Sequence, residues 1–346
     1  MRCWRIGANY FFSLRTGFLP VWLLICLLAV PEAGWTFQDR PFFTRHLSPI
    51  SNLFGLPGAE GGRLTAAEAL DARLVLNVAN SFVHGSTERD AQYLAGETTR
   101  YELVLRYGLP WGGEGGIDLP LVHHHDGYFD DFIDEFHDFF KISSNGRNGR
   151  QDGGIQYIFT RDGKTRFSVD GETAGMGDVA LFYALPLVDA DSDQRALALR
   201  MGIKLPTGDS DRLLGSGSTD FSLRLTGTDR QALENLRLTL FGGVGVLLMT
   251  DGDILPELQR NIVGAGFLGT SWNPLSWLSC KLQIDIHSPL FSGSEIRELS
   301  SWSQQIVAGF TFALPQDVFC DFAITENFIE ETSPDVVLHL ALRRTF

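Results

Sequence analysis

Over its 346 residues the chain is 44% hydrophobic and 20% charged, with a mean hydropathy of +0.01. That balance excludes a bundle of transmembrane helices, each of which needs about 20 consecutive apolar residues. The formal net charge of -14 excludes nucleic acid as a partner, because phosphate recognition needs a basic surface.

In chain order, Arg2, Arg5 and Arg15 precede an apolar run, Phe18 to Val30, too short for a comfortable membrane span and built like a secretory signal. Residues 1–34 are therefore expected to be a signal peptide, whose removal takes Cys3 and Cys26 with it. Residues 35–70 follow as a segment rich in Pro, Gly and aromatic side chains (Phe42, Phe43, Phe54), either a periplasmic lead-in or a plug. A plug would resemble the N-termini of long-chain fatty-acid transporters, at the level of fold only. Residues 71–346 make the main domain.

From there the chain alternates apolar and polar residues at period two. Between Trp277 and His287, Leu278, Cys280, Leu282, Ile284 and Ile286 fall on one face, Ser279, Lys281, Gln283, Asp285 and His287 on the other. Strands are expected over 72–82, 98–109, 115–124, 176–187, 195–206, 218–227, 236–249, 260–271, 276–287, 304–315, 317–326 and 335–346. Short connections such as Pro110–Gly113 and Pro315–Gln316 alternate with longer ones such as 125–175 and 288–303. That is the rhythm of tight periplasmic turns and long extracellular loops. The expected fold is all-β: a closed antiparallel transmembrane β-barrel of about 12 strands with one short amphipathic helix in a long loop. A soluble sandwich shares the alternation but has no reason to make every outward row apolar. Cys280 and Cys320 fall two strands apart, roughly 9–10 Å, beyond the reach of a disulfide, and face lipid.

The inward rows carry both signs of charge: Arg73, Glu102, Arg106, Asp118, Asp178, Arg200, Lys204, Asp220, Arg224, Arg237, Lys281, Asp285, Asp321, His339 and Arg343. They read either as paired charges that fill a narrow lumen or as the lining of a polar path.

His123-His124-His125 suggests a metal, but consecutive strand residues point to opposite faces, so no metal site is assigned. In the long connection, Phe129, Phe132, Ile133, Phe136 and Phe140 recur at helical spacing opposite an acidic face. Phe129, Phe132, Phe136 and Phe140 are the gate candidates of such a helix, which either folds into the barrel mouth or caps its rim. Ser144-Asn145-Gly146-Arg147 is similar to the stretch around the nucleophile of outer-membrane phospholipase A. That family has a histidine two residues before the serine, where this chain has Ile142, so the base that would activate Ser144 is missing. No catalytic residue and no cofactor is assigned.

The last strand alternates Val336, Leu338, Leu340 and Leu342 and ends at Phe346, the form in which outer-membrane proteins meet the barrel-assembly machinery. Arg344 breaks the pattern on the lipid-facing side, at a depth where its head can snorkel to the interface.

Asn52–Pro57 (NLFGLP), Glu135–Phe140, Gly175–Asp178, Lys204–Asp209 with Gly215–Asp220 (KLPTGD and GSGSTD), and Glu326–Phe346 together resemble a family of outer-membrane proteins known as domain of unknown function 3187. The resemblance implies a barrel in the Gram-negative outer membrane, among lipid and lipopolysaccharide, and implies no activity. The expected function is a narrow passive channel for a small amphipathic or hydrophobic solute. The alternatives are a closed structural or partner-binding barrel and a phospholipase-like hydrolase.

Overall fold

The period-two alternation becomes antiparallel strands in the structure, a computed structural model that describes residues 40–127, 154–189, 194–327, 334 and 336–346. The strands are β1 (Leu70–Ser86), β2 (Asp90–Gly108), β3 (Glu114–His125), β4 (Gln156–Arg161), β5 (Lys164–Val169), β6 (Thr173–Met176), β7 (Ala180–Asp189), β8 (Arg195–Lys204), β9 (Asp220–Asp229), β10 (Leu238–Met249), β11 (Ile262–Leu275), β12 (Leu278–His287), β13 (Ser303–Leu314), β14 (Val318–Asn327) and β15 (Val336–Thr345). Twelve of them, β1–β3 and β7–β15, form a closed antiparallel barrel. β1 pairs with β15 from Asp71 opposite Thr345 to Asn80 opposite Val336. Leu70 and Phe346 exchange backbone hydrogen bonds of 3.0 and 2.8 Å beside that seam. Closure leaves no unpaired edge, the condition for a sheet to lie in hydrocarbon.

Outward rows are apolar and exposed, with Tyr101, Leu223, Leu282, Phe310 and Leu340 among them. Tyr107, Trp111, Trp272 and Trp277 are exposed at the end that carries both barrel termini, where an aromatic girdle belongs. Cys280 and Cys320 are unpaired, on β12 and β14 with β13 between them.

Four expectations are corrected. β1 and β2 run for 17 and 19 residues, so a three-residue turn replaces the loop expected at 83–97. Beyond the wall they continue as a ribbon on which the hairpin β4–β5 pairs. That hairpin falls inside the connection read as loop and helix; its turn is Asp162-Gly163, both at positive φ (50° and 70°), the geometry that twists two strands into register. The strand expected at 176–187 is split, with Gly177–Val179 outside both strands between β6 and β7, Gly177 N bonded to Pro120 O (3.0 Å) and Val179 O accepting from Leu205 N (2.8 Å). Arg237 stands in the turn before β10, exposed and reaching Pro274 O, not in the lumen. The expected signal peptide, the helix with Phe129, Phe132, Phe136 and Phe140, and Ser144 lie outside the described residues.

Candidate functional site

The barrel interior is occupied by the chain's own residues 40–69. Arg40 pairs with Asp71 at the terminal end of β1 (3.2 Å). The segment then climbs β12 two residues at a time. Phe42 N donates to Gln283 Oε1 (3.0 Å), Thr44 Oγ1 donates to Asp285 Oδ2 (2.6 Å), and the His46 ring stands edge-on to His287, centroids 4.8 Å apart. A 3-10 turn, Ser51–Leu53, reverses the chain at the far end. There Ile50, Leu53 and Phe54 are buried among Leu213, Leu258 and Phe291 of the connecting loops and Tyr157 and Phe159 of the β4–β5 hairpin.

The descent follows β9. Gly55 N donates to Asp220 (2.6 Å), Gly58 O accepts from Arg224 (2.7 Å), and Gly62 N donates to Thr228 Oγ1 (3.0 Å). Thr65 donates through both its amide and its hydroxyl to Glu114 (2.7 Å each), and Ala67 bridges Gly108 just before β1 begins. Close approach explains the glycines. A Cβ on Gly62 would stand 2.3 Å from Ala196 O, and one on Gly58 would strike the Phe43 ring of the ascending limb at 2.7 Å. With Pro41, Pro49 and Pro57 interrupting it, the segment builds no ladder of its own and uses the wall's side chains instead.

Charge holds it in place. Glu60, on the descending limb, faces three guanidiniums: Arg106 of β2 (3.0 Å), Arg224 of β9 (3.3 Å) and Arg200 of β8 (3.8 Å). Arg106 also meets Asp118 and Arg200 meets Glu114, both at 2.7 Å. Arg45, on the ascending limb, reaches Glu102 (2.8 Å), which Arg100 supports at 3.2 Å. Arg73 lies over the Phe43 ring and Lys281 over that of Phe42, each at 4.8 Å, while Lys281 pairs with Asp321 (3.5 Å). His339 meets Asn77 (2.7 Å) and packs edge-on against Phe42. Lys204 ties the apex, donating to Leu53 O (3.2 Å) and pairing with Asp178 (2.6 Å) and Asp220 (3.2 Å).

The structure thus places Arg73, Glu102, Arg106, Asp118, Arg200, Lys204, Arg224, Lys281, Asp285, Asp321 and His339 on the inner wall, where they meet segment 40–69 or one another. Asp178 sits in the gap between β6 and β7. Sequence reasoning missed Glu60, Arg45, Arg100 and Glu114. Glu114 was lost by starting β3 one residue late, and Arg100 shares the inward parity of Glu102. A lone glutamate in a Gly-Pro-rich stretch is the signal that could have found Glu60.

Motifs far apart in sequence meet at the apex. Asn52–Pro57 forms the turn of the internal segment; Gly175–Asp178, Lys204–Asp209 and Gly215–Asp220 form its socket. Asp178 accepts from Gly208 N (2.8 Å), Ser216 N (3.1 Å) and Lys204, so one carboxylate pins the β8–β9 loop and the apex together. The three histidines divide as strand geometry requires. His124 points in, bonded to Thr98 Oγ1 (2.9 Å) and Leu213 O (2.8 Å). His123 and His125 lie on the other face with ring centroids 4.8 Å apart. Among the described residues no three His, Cys, Asp or Glu side chains are arranged to hold a metal.

The barrel is similar to the COG4313 outer membrane channel from Pseudomonas putida F1, with a TM-score of 0.54, 12% identity, and 82% of this chain and 98% of that one covered. At that identity the likeness is one of fold. Weaker likenesses are to the KdgM porin (TM-score 0.40, 5% identity, 80% and 99% covered) and the P. putida toluene transporter TodX (0.36, 10%, 80% and 87%). No curated protein matches the sequence. The family model of a protein of unknown function, DUF3187, matches residues 19–346, barrel and internal segment alike. The chain therefore belongs to the DUF3187 family.

Proposed function

We propose that the protein is an outer-membrane channel for a small amphipathic or hydrophobic solute, closed at rest by its own residues 40–69. The observation that carries this reading is the chemistry of the contact between segment and wall. A permanently filled barrel is as stable with well-packed apolar residues inside, since buried ion pairs commonly gain nothing over them. This wall instead keeps Arg, Lys, Asp and Glu, side chains that water solvates well once the segment shifts. The far end differs: Ile50, Leu53 and Phe54 lie in an apolar cluster, a surface on which a greasy solute can settle before entry.

The terminal end faces the periplasm on this reading, and the long connections face outward. The exposed outer rows meet lipid and lipopolysaccharide, and the β15 strand ending at Phe346 is what the assembly machinery engages. The reading assigns no catalytic residue and no cofactor.

Planar-bilayer conductance tests it. The mature chain is expected to be silent or to open rarely, and deletion of residues 40–62 is expected to produce regular steps. Silence from both proteins, each shown to be folded by its resistance to protease, would leave a closed structural barrel as the answer.

A further inference from the structure

The two limbs of the internal segment hold to the wall in different ways. The ascending limb, residues 40–47, uses wall groups that keep a second partner on the wall itself. Asp71, which meets Arg40, also meets Arg73 (3.6 Å) and Thr345 Oγ1 (3.0 Å). Glu102, which meets Arg45, is held by Arg100, and Asp118, which Arg45 reaches at 3.5 Å, is held by Arg106. Asp285, which accepts from Thr44, also accepts from Gln283 (2.8 Å). Lys281, over the Phe42 ring, keeps Asp321. The costly part of breaking a buried ion pair is the charge left without a partner. Withdrawal of residues 40–47 leaves none of these wall groups in that state.

The descending limb differs. Arg224 of β9 has Gly58 O (2.7 Å) and Glu60 (3.3 Å) as its partners, both on that limb, and no other hydrogen-bond or ion-pair partner among the described residues. Arg200 donates to Gly61 O (3.0 Å) besides facing Glu60. The lower end of the limb runs on into β1 at Leu70, and its upper end is the apex. There Lys204 holds Leu53 O, Arg100 donates to Asn52 Oδ1 (3.2 Å), and Ile50, Leu53 and Phe54 belong to the large apolar cluster. Withdrawal of this half would orphan Arg224 and open that cluster to water.

The apolar side chains of the ascending limb sit apart from the large cluster, in three small pockets of the wall. Phe42 lies against Val307 and Ala323, Phe43 against Val75, Val104 and Ala341, and Leu47 against Ala79 and Val337. Between the limbs, Ala59 N donates to Thr44 O (3.2 Å) and Arg45 to Leu56 O (3.4 Å). All four residues line a cavity of about 50 Å³, room for a few waters to take over those long bonds. The apical turn begins at Ser48, whose carbonyl accepts from Asn52 N (2.9 Å), so the hinge falls between Leu47 and Ser48.

We infer that residues 40–47 are a detachable strap, the moving half of the closure, while the apex and the descending limb stay in the open channel as part of its lining. The inference rests on the channel reading and names which half of the segment moves.

Planar-bilayer recording of the mature chain tests it. Deletion of residues 40–47 alone is expected to give regular steps, smaller than those of the 40–62 deletion because the descending limb still narrows the lumen. Silence from the folded 40–47 deletion, where the 40–62 deletion conducts, overturns the strap and keeps the channel; silence from both removes the channel itself. Reducible bridges make a second test that needs no deletion. They are placed in a chain carrying Cys280→Ser, Cys320→Ser, Phe42→Ala and Phe43→Ala, in which the loosened strap is expected to open often enough to count. Thr44→Cys with Asp285→Cys, whose native side-chain tips lie 2.6 Å apart, is expected to stop opening when oxidised and to release it on reduction. Gly55→Cys with Asp220→Cys, where a built Cβ on Gly55 stands 2.9 Å from that of Asp220, is expected to open alike oxidised and reduced. Opening stopped by the second bridge as well would mean that the segment moves as one piece, and opening that survives the first would put the gate elsewhere. Either result overturns the strap, as does a folded, loosened chain that never opens.

Discussion

Glu60 Oε1 of the internal segment lies 3.0 Å from Arg106 Nε of β2, and the same carboxylate serves Arg224 of β9 and Arg200 of β8. One side chain thus meets three buried cations, two of which have Asp118 and Glu114 as further partners, and joins β2 to strands that are not its neighbours. Glu60→Ala leaves those guanidiniums facing one another, with Asp118 and Glu114 as their remaining partners. Breaking a buried ion pair from one side costs about 3–5 kcal/mol. The variant is expected to unfold at lower denaturant and to open more often in bilayers; an unaltered midpoint and unaltered opening would show that the segment is held by packing alone.

Gly62 tests the steric side of the same fit. Its missing side chain lets the descending limb pass 2.3 Å, measured from a built Cβ, from the carbonyl oxygen of Ala196, which belongs to a wall strand and cannot yield. Gly62→Ala should cost about 1–3 kcal/mol, as overpacking does. It should also expose a cysteine placed at Thr44 to a soluble thiol reagent that does not reach it in the parent. Equal labelling in both proteins would mean that the limb does not depend on this approach.

Outside the barrel, Arg89 in the β1–β2 turn grips Asp162 of the β4–β5 hairpin through two hydrogen bonds of 2.9 and 3.0 Å. Those bonds hold the Asp162 carboxyl below its ordinary value of 3.8. Because the folded value is the lower one, the contribution is present above about pH 4 and fades as pH falls through the depressed value. Both side chains are more than half exposed, so the effect is local. Protection of the hairpin amides, taken relative to the intrinsic exchange rate at each pH, is expected to fall below pH 4 in the parent and to lose that step in Asp162→Asn. A step of the same size in the variant would assign it to another group.

Phe346 closes the barrel through its backbone, giving and receiving hydrogen bonds with Leu70, while its ring lies under the Arg344 guanidinium at 4.9 Å. Truncating the chain after Thr345 removes both bonds at the seam. Folded protein recovered from the outer membrane, scored by its heat-modifiable gel mobility, should fall several-fold. Full recovery would separate the terminal aromatic from assembly.

The barrel was legible in the residues because a membrane-spanning sheet has one greasy face and one polar face. Period two therefore records the strand, its parity the wall, and twelve alternating rows the closure. Strand ends were less legible. The continuation of β1 and β2 beyond the membrane and the β4–β5 hairpin lie in water, where the alternation loses its sharp contrast, and only Asp162-Gly163 marks the turn.

The interior could be named but not joined up. The inward charges follow from parity, yet which carboxylate meets which guanidinium depends on distances across the lumen, between strands far apart in sequence. Least legible was the path of residues 40–69. With Pro41, Pro49 and Pro57 and glycines at 55, 58, 61 and 62, the segment has no period of its own. Its shape is dictated by the walls it touches, β12 on the way up and β9 on the way down, so its role exists only once the cylinder has closed around it.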